Sequence, residues 1–100
     1  MGREAVLNVG IVDDDVNLCR SLGRLLRAAG IHSVAYSSGE IFLADEQRSR
    51  FHCLLLDVQL GGMSGIELER QLASEGSTTP IIYITAQDGP TVRAEAQAFW

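Results

Sequence analysis

The sequence predicts an α/β domain: a parallel sheet, doubly wound, with helices on both faces. Two observations carry this. Short apolar runs alternate with helical patterns along all 100 residues, with no repeat, low-complexity tract or internal linker. Three of those runs also stop at a polar residue, the first at Asp13-Asp14-Asp15, the third at Asp57 and the fourth at Thr85. Parallel strands emerging from a covered sheet end in this way, and right-handed crossovers would bring those ends to one edge. A hydrophobic content of 46% suits a single domain with its own core.

The elements follow in order. Residues 6–12 form the first apolar run and the first strand. Leu18, Leu22, Leu25, Leu26 and Ala29 then recur at helical spacing, with Arg20, Arg24 and Arg27 on the other face and Gly30 as the stop. Asp15 is placed to cap this helix. Residues 31–36 make a short second strand. Ser37 with Glu40 three positions on has the spacing of a capping box, opening a helix that carries Ile41, Phe42 and Leu43. Cys53-Leu54-Leu55-Leu56 reads as a central strand covered on both faces. Gly61-Gly62-Met63-Ser64-Gly65 is a turn, and Ser64 with Glu67 is a second capping box, for a helix with Ile66, Leu68 and Leu72 that ends near Gly76. After Pro80, residues 81–84 form a fourth strand, and Gln87-Asp88-Gly89-Pro90 leads into a last helix from Thr91 to Trp100.

Composition narrows the function. Eight Arg stand against thirteen acidic residues with no Lys, a formal net charge of -5. That balance argues against this chain gripping a nucleic-acid backbone or an anionic membrane by itself, and the missing Lys excludes mechanisms needing an ammonium group. No apolar stretch approaches the roughly 20 residues of a membrane helix and no signal-peptide core is present, so a cytoplasmic protein is expected. Cys19 and Cys53 make neither a disulfide framework nor a zinc pattern and read as buried free thiols. His32 and His52 lack metal-ligand spacing and read as solvated or structural.

If the first and third strands are neighbours, Asp13, Asp14 and Asp57 converge, and carboxylates that close repel unless a cation joins them. Oxygen ligands of this kind suit Mg²⁺. Such a site can hold a phosphate donor against a carboxylate nucleophile, with Asp57 becoming an aspartyl phosphate and Thr85 hydrogen-bonding a phosphoryl oxygen.

Ile11-Val12-Asp13-Asp14, Leu56-Asp57, Gly62-Met63-Ser64-Gly65 and Ile84-Thr85-Ala86, in this order and spacing, resemble the receiver domain of bacterial two-component response regulators, whose fold is flavodoxin-like (CheY-like). Arg20-Ser21-Leu22, Tyr36-Ser37-Ser38-Gly39-Glu40 and the Met-Ser-Gly turn are most similar to the FixJ-type subgroup. The resemblance implies strand order 2-1-3-4 here, a fifth strand and fifth helix being absent from the chain. It makes Asp57 the phosphoacceptor, Asp13, Asp14 and Asp57 the Mg²⁺ ligands together with the Gln59 backbone carbonyl, Thr85 the switch hydroxyl and Ala86 the small residue beside the phosphoryl group. It implies a sensor histidine kinase as donor, and DNA contact only through an output domain outside this chain. The expected role is a signalling module, not an enzyme.

Two departures from the family stand out. Gly61 replaces the usual proline, which leaves the loop after Asp57 more entropy to lose on ordering. The family's lysine at the end of a fifth strand has no counterpart before Trp100, and a chain cut before that strand is expected to expose the fourth strand as an edge, uncover part of the first helix and associate as a homodimer or by a swapped segment. Two other functions compete: a pseudo-receiver that binds partners without phosphorylation, and a haloacid-dehalogenase-like phosphatase, mimicked by Asp13-x-Asp15 and Thr85 but lacking the lysine that chemistry needs. The Arg20, Arg24 and Arg27 series reads as a solvated face and, by resemblance, a kinase-docking surface.

Overall fold

The four apolar runs pair side by side in parallel, in the order β2-β1-β3-β4. A computed structural model describes residues 6–84. Its elements are β1 (Asn8–Val12), α1 (Val16–Ala28), β2 (His32–Tyr36), α2 (Gly39–Ala44), a 3-10 turn (Arg48–Arg50), β3 (Cys53–Asp57), α3 (Gly65–Ser74) and β4 (Ile81–Ile84). Thr85, Ala86, the expected helix from Thr91 and the terminal Phe99-Trp100 lie outside the described residues.

Register decides which side chains share a face. Val12 pairs with Tyr36 and with Leu56, and Leu56 with Tyr83, so one layer crosses all four strands. These residues join Phe42 of α2, Phe51, Leu60, and Leu68 and Leu72 of α3 in the main core. Tyr36, Phe42 and Phe51 pack edge-on or tilted at 5.1 to 6.2 Å between ring centroids, a favoured aromatic geometry. Gly10 lies in the same face, where a Cβ would stand 2.8 Å from Leu54 Cδ2, so only glycine lets Leu54 and Phe51 close over β1.

The opposite face is less covered than the continuous apolar run of β3 implied. Leu54 and Leu56 are buried, but Cys53 and Leu55 on the other side are half-buried. Both cysteines are free thiols, as expected, but half-buried where the sequence suggested burial. Helix α1 lies on this side, with Gly23 near Ser33 of β2, and none of its residues is fully buried. Leu18, Leu22 and Leu26 are half-buried, whereas Leu25 is 67% and Val16 62% exposed. Arg20, Arg24 and Arg27 are exposed, as their spacing predicted.

Most helix ends follow local chemistry. Asp15 caps α1 by accepting from Leu18 N–H at 3.1 Å. At the other end Gly30, at φ +80°, donates to Arg27 O while Ile31 N–H donates to Leu26 O, the paired bonds of a Schellman stop. Gly76 ends α3 in the same way. Ser64 and Glu67 form the expected reciprocal capping box. The cap of α2 differs from the sequence reading: Ser38, not Ser37, is the N-cap, accepting from Ile41 N–H at 3.0 Å. Shifting the cap by one moves Glu40 from the third helical position to the second, out of capping-box register, and its carboxylate reaches away from its own helix to Met63 N–H at 3.1 Å.

Candidate functional site

Sheet pairing assembles the acidic residues. Asp13 follows β1 directly, and its N–H donates to Tyr36 O at 3.0 Å, continuing the ladder to β2. Asp57 is the last residue of β3, one position past the Val12–Leu56 pair. One ligand oxygen from each of Asp13, Asp14 and Asp57 lies within 4.8 Å of the others. Asp13 is 3% exposed, Asp57 half-buried and Asp14 open to solvent.

Each buried carboxylate has a local backbone donor. Asp15 N–H donates to Asp13 Oδ1 at 2.9 Å and Gln59 N–H to Asp57 Oδ1 at 3.1 Å. These bonds favour the ionised forms but do not win. Burial pushes Asp13 up to about 6 against the opposing Asp15 bond, with the charges of Asp57, Asp14 and Asp15 adding to the rise. Burial also raises Asp57, helped by Asp14, while its bonds to Gln59 and Asp13 hold it back. Burial, and after it the same negative field, raises the Cys19 thiol, which donates to Asp13 O at 3.3 Å. A pocket of oxygen donors that resists its own charge fits a hard divalent cation.

Glycine fixes the floor of the pocket. A Cβ on Gly65 would stand 2.4 Å from Asp57 O, and Gly65 N–H donates to Val58 O at 3.1 Å, so the start of α3 abuts the backbone of Asp57. Tyr83, buried in β4, donates from its hydroxyl to Glu69 Oε1 at 2.6 Å and lies 3.3 Å from Gly65 O, tying β4 to the same turn. In sequence Gly65 belongs to a turn and Tyr83 to an apolar run. Neither contact has a periodic signature.

Of the expected site residues, the structure brings Asp13, Asp14 and Asp57 together, with Gln59 joined to Asp57 through its N–H. Asp15 caps α1 and stands outside the trio. His32 is exposed, and His52 Nδ1 accepts from Asn8 N–H at 3.0 Å, a structural role. A cavity of about 460 Å³ opens at the other end of the sheet, beside Leu54, Thr78 and Thr79. It holds none of the trio, and its Arg48 and Glu75 already pair at 2.9 Å.

A parallel α/β sheet with order 2-1-3-4 and three carboxylates at adjoining strand ends defines the class of CheY-like signalling domains. The chain belongs to the response regulator receiver domain family, whose model matches residues 9–99. It is 41% identical over 75 residues to the response regulator protein TodT of Pseudomonas putida, covering 75% of this chain and 33% of TodT. Among solved structures, it is similar to a response regulator receiver protein from Burkholderia phymatum, at 44% identity and a TM-score of 0.72, covering 92% of this chain and 75% of that one. It is also similar to the BeF3-activated DrrB receiver domain, at 31% identity and a TM-score of 0.72, covering 84% and 69%. The chain therefore spans about a third of the length of TodT.

Proposed function

We propose that this receiver domain takes a phosphoryl group on Asp57 from a sensor histidine kinase, with Mg²⁺ held by Asp13, Asp14, Asp57 and the Gln59 carbonyl. The single observation behind this is the carboxylate trio, three oxygens within 4.8 Å at the ends of two paired strands. An all-oxygen donor set whose two buried members have raised pKa values fits a hard cation better than it fits three free carboxylates. When bound, Mg²⁺ neutralises charge on the transferring phosphoryl oxygens.

The protein groups do the remaining work by position. A carboxylate oxygen of Asp57 attacks phosphorus as the bond from phosphorus to the donor's imidazole nitrogen breaks; the imidazole leaves with the electron pair and then takes a proton from solvent. The Gln59 N–H on Asp57 Oδ1 fixes the rotation of the nucleophile, and Gly65 fixes its backbone. Asp13, held by Asp15 N–H, presents its carboxyl beside Asp57. Thr85, next after β4, is assigned the switch hydroxyl and Ala86 the space beside the phosphoryl group. The likeness to a receiver solved in a BeF3-activated form, BeF3 being a phosphoryl stand-in, supports the same chemistry.

Signalling would pass to an output domain outside these residues, a transcriptional one by the resemblance to the FixJ-type subgroup, in the cytoplasm. No helix among the described residues is long and apolar enough to cross a membrane. Acetyl phosphate with Mg²⁺ tests the reading. Mass spectrometry should show a gain of one phosphoryl group that Asp57→Asn abolishes and Asp13→Asn slows, and a gain retained in Asp57→Asn rejects Asp57 as the acceptor.

A further inference from the structure

The loop from β3 to α3 must present the Gln59 carbonyl to the acidic pocket, yet it carries adjacent glycines at Gly61 and Gly62, which lose much freedom on ordering. Its two ends are fixed locally. Gln59 N–H binds Asp57 at one end; Gly65 N–H binds Val58 O, and Ser64 and Glu67 cap each other, at the other. The middle is held from another element. Among the described residues, Glu40 of α2 is the one side chain from outside this segment that hydrogen-bonds residues 61–63, through Met63 N–H to Oε2 at 3.1 Å.

The packing around that bond is close. A Cβ on Gly62, at φ +76°, would stand 3.1 Å from the same Glu40 oxygen, and one on Gly39 would stand 3.2 Å from Met63 Sδ. On the other side, the Cβ position of Gly61 is 3.9 Å from Asp14 Oδ2. The loop thus passes between a carboxylate of the acidic pocket and the carboxylate of Glu40.

We propose that Glu40 is a positioning residue for the metal site: by holding Met63 N–H it keeps the β3–α3 loop in the conformation that offers the Gln59 carbonyl. This rests on the Mg²⁺ reading above. What matters is the reach of the side chain and its acceptor oxygen, not its charge at the start of α2. Glutamine preserves reach and acceptor while removing the charge. Aspartate preserves the charge but is one methylene too short.

Mg²⁺ titration followed by amide NMR shifts, together with hydrogen exchange at Met63 N–H, separates these roles. Glu40→Ala and Glu40→Asp should each weaken Mg²⁺ about tenfold, the equivalent of one hydrogen bond, and should expose the Met63 amide to exchange. Glu40→Gln should stay within about twofold of the parent, since an exposed charge is well screened. Unchanged Mg²⁺ affinity in Glu40→Ala overturns the proposal, as does an Asp variant that matches the parent while the Gln variant is weakened. A parent protein that binds no Mg²⁺ removes the reading of the site itself, and the role of Glu40 with it.

Discussion

Gly65 and Asp13 show how tightly single positions are constrained around the pocket. A methyl group on Gly65 would collide with Asp57 O at 2.4 Å, a backbone atom that cannot rotate away. Gly65→Ala should therefore cost about 1–3 kcal/mol, as overpacking does, seen as a lower urea midpoint, and should slow phosphorylation by displacing Asp57. Asp13 is nearly enclosed and its carboxyl is pushed up to about 6 by burial and by its acidic neighbours. Metal removal should show this in stability. At a free Mg²⁺ concentration a hundredfold above Kd, binding to the folded state alone adds about 2.7 kcal/mol. Differential scanning calorimetry with Mg²⁺ and with EDTA should give a higher melting temperature with the metal, and Asp13→Asn should shrink the difference.

At the scale of elements, the two capping boxes expected from sequence make a controlled comparison. Ser64 and Glu67 are joined reciprocally, so Ser64→Ala should destabilise by about 1 kcal/mol. In α2 the same loss should follow Ser38→Ala, whereas Ser37→Ala should be nearly silent, because Ser38 Oγ takes Ile41 N–H. Chemical denaturation of the two serine variants checks the assignment. The difference explains what was legible in the sequence. Alternation of apolar runs and helical spacings exposed the strands, the order of elements and the carboxylates at strand ends, since all of these are repeated or terminal signals. Spacing to Glu40 favours Ser37 as the cap, but Glu40 takes the distant Met63 N–H instead and Ser38 takes the helix amide of Ile41. Contacts between distant segments, such as Glu40 with Met63 or Tyr83 with Glu69, leave no spacing to read. The Arg48–Arg50 turn has no sequence signature, because three polar residues carry no apolar period.

For the molecule as a whole, acid should act on a cluster other than the carboxylate trio. The Tyr36 hydroxyl donates to Asp45, which also receives Arg50 and Gln47 N–H, and these bonds hold Asp45 below the usual carboxylate range. A carboxyl lowered by folding stabilises above its unfolded pKa, and that contribution disappears as pH falls through the folded value, so the loss lies below about pH 4. Melting curves between neutral and acid pH should show Asp45→Asn less sensitive to acid than the parent across that window. On the sheet's far side Ile11 is enclosed, whereas Leu55 beside it is half-buried and Leu25 of α1 is exposed. The pairing of β1 with β3 has a different consequence, for the order of events in folding. Val9 meets Cys53, and Asn8 meets His52, across 44 positions of chain. Local helices and turns can form before such a contact, but the acidic trio cannot exist until it is made. Electrostatic repulsion is thus deferred to a late, long-range step, and a divalent cation in the refolding medium meets its ligands only after the chain has closed that loop.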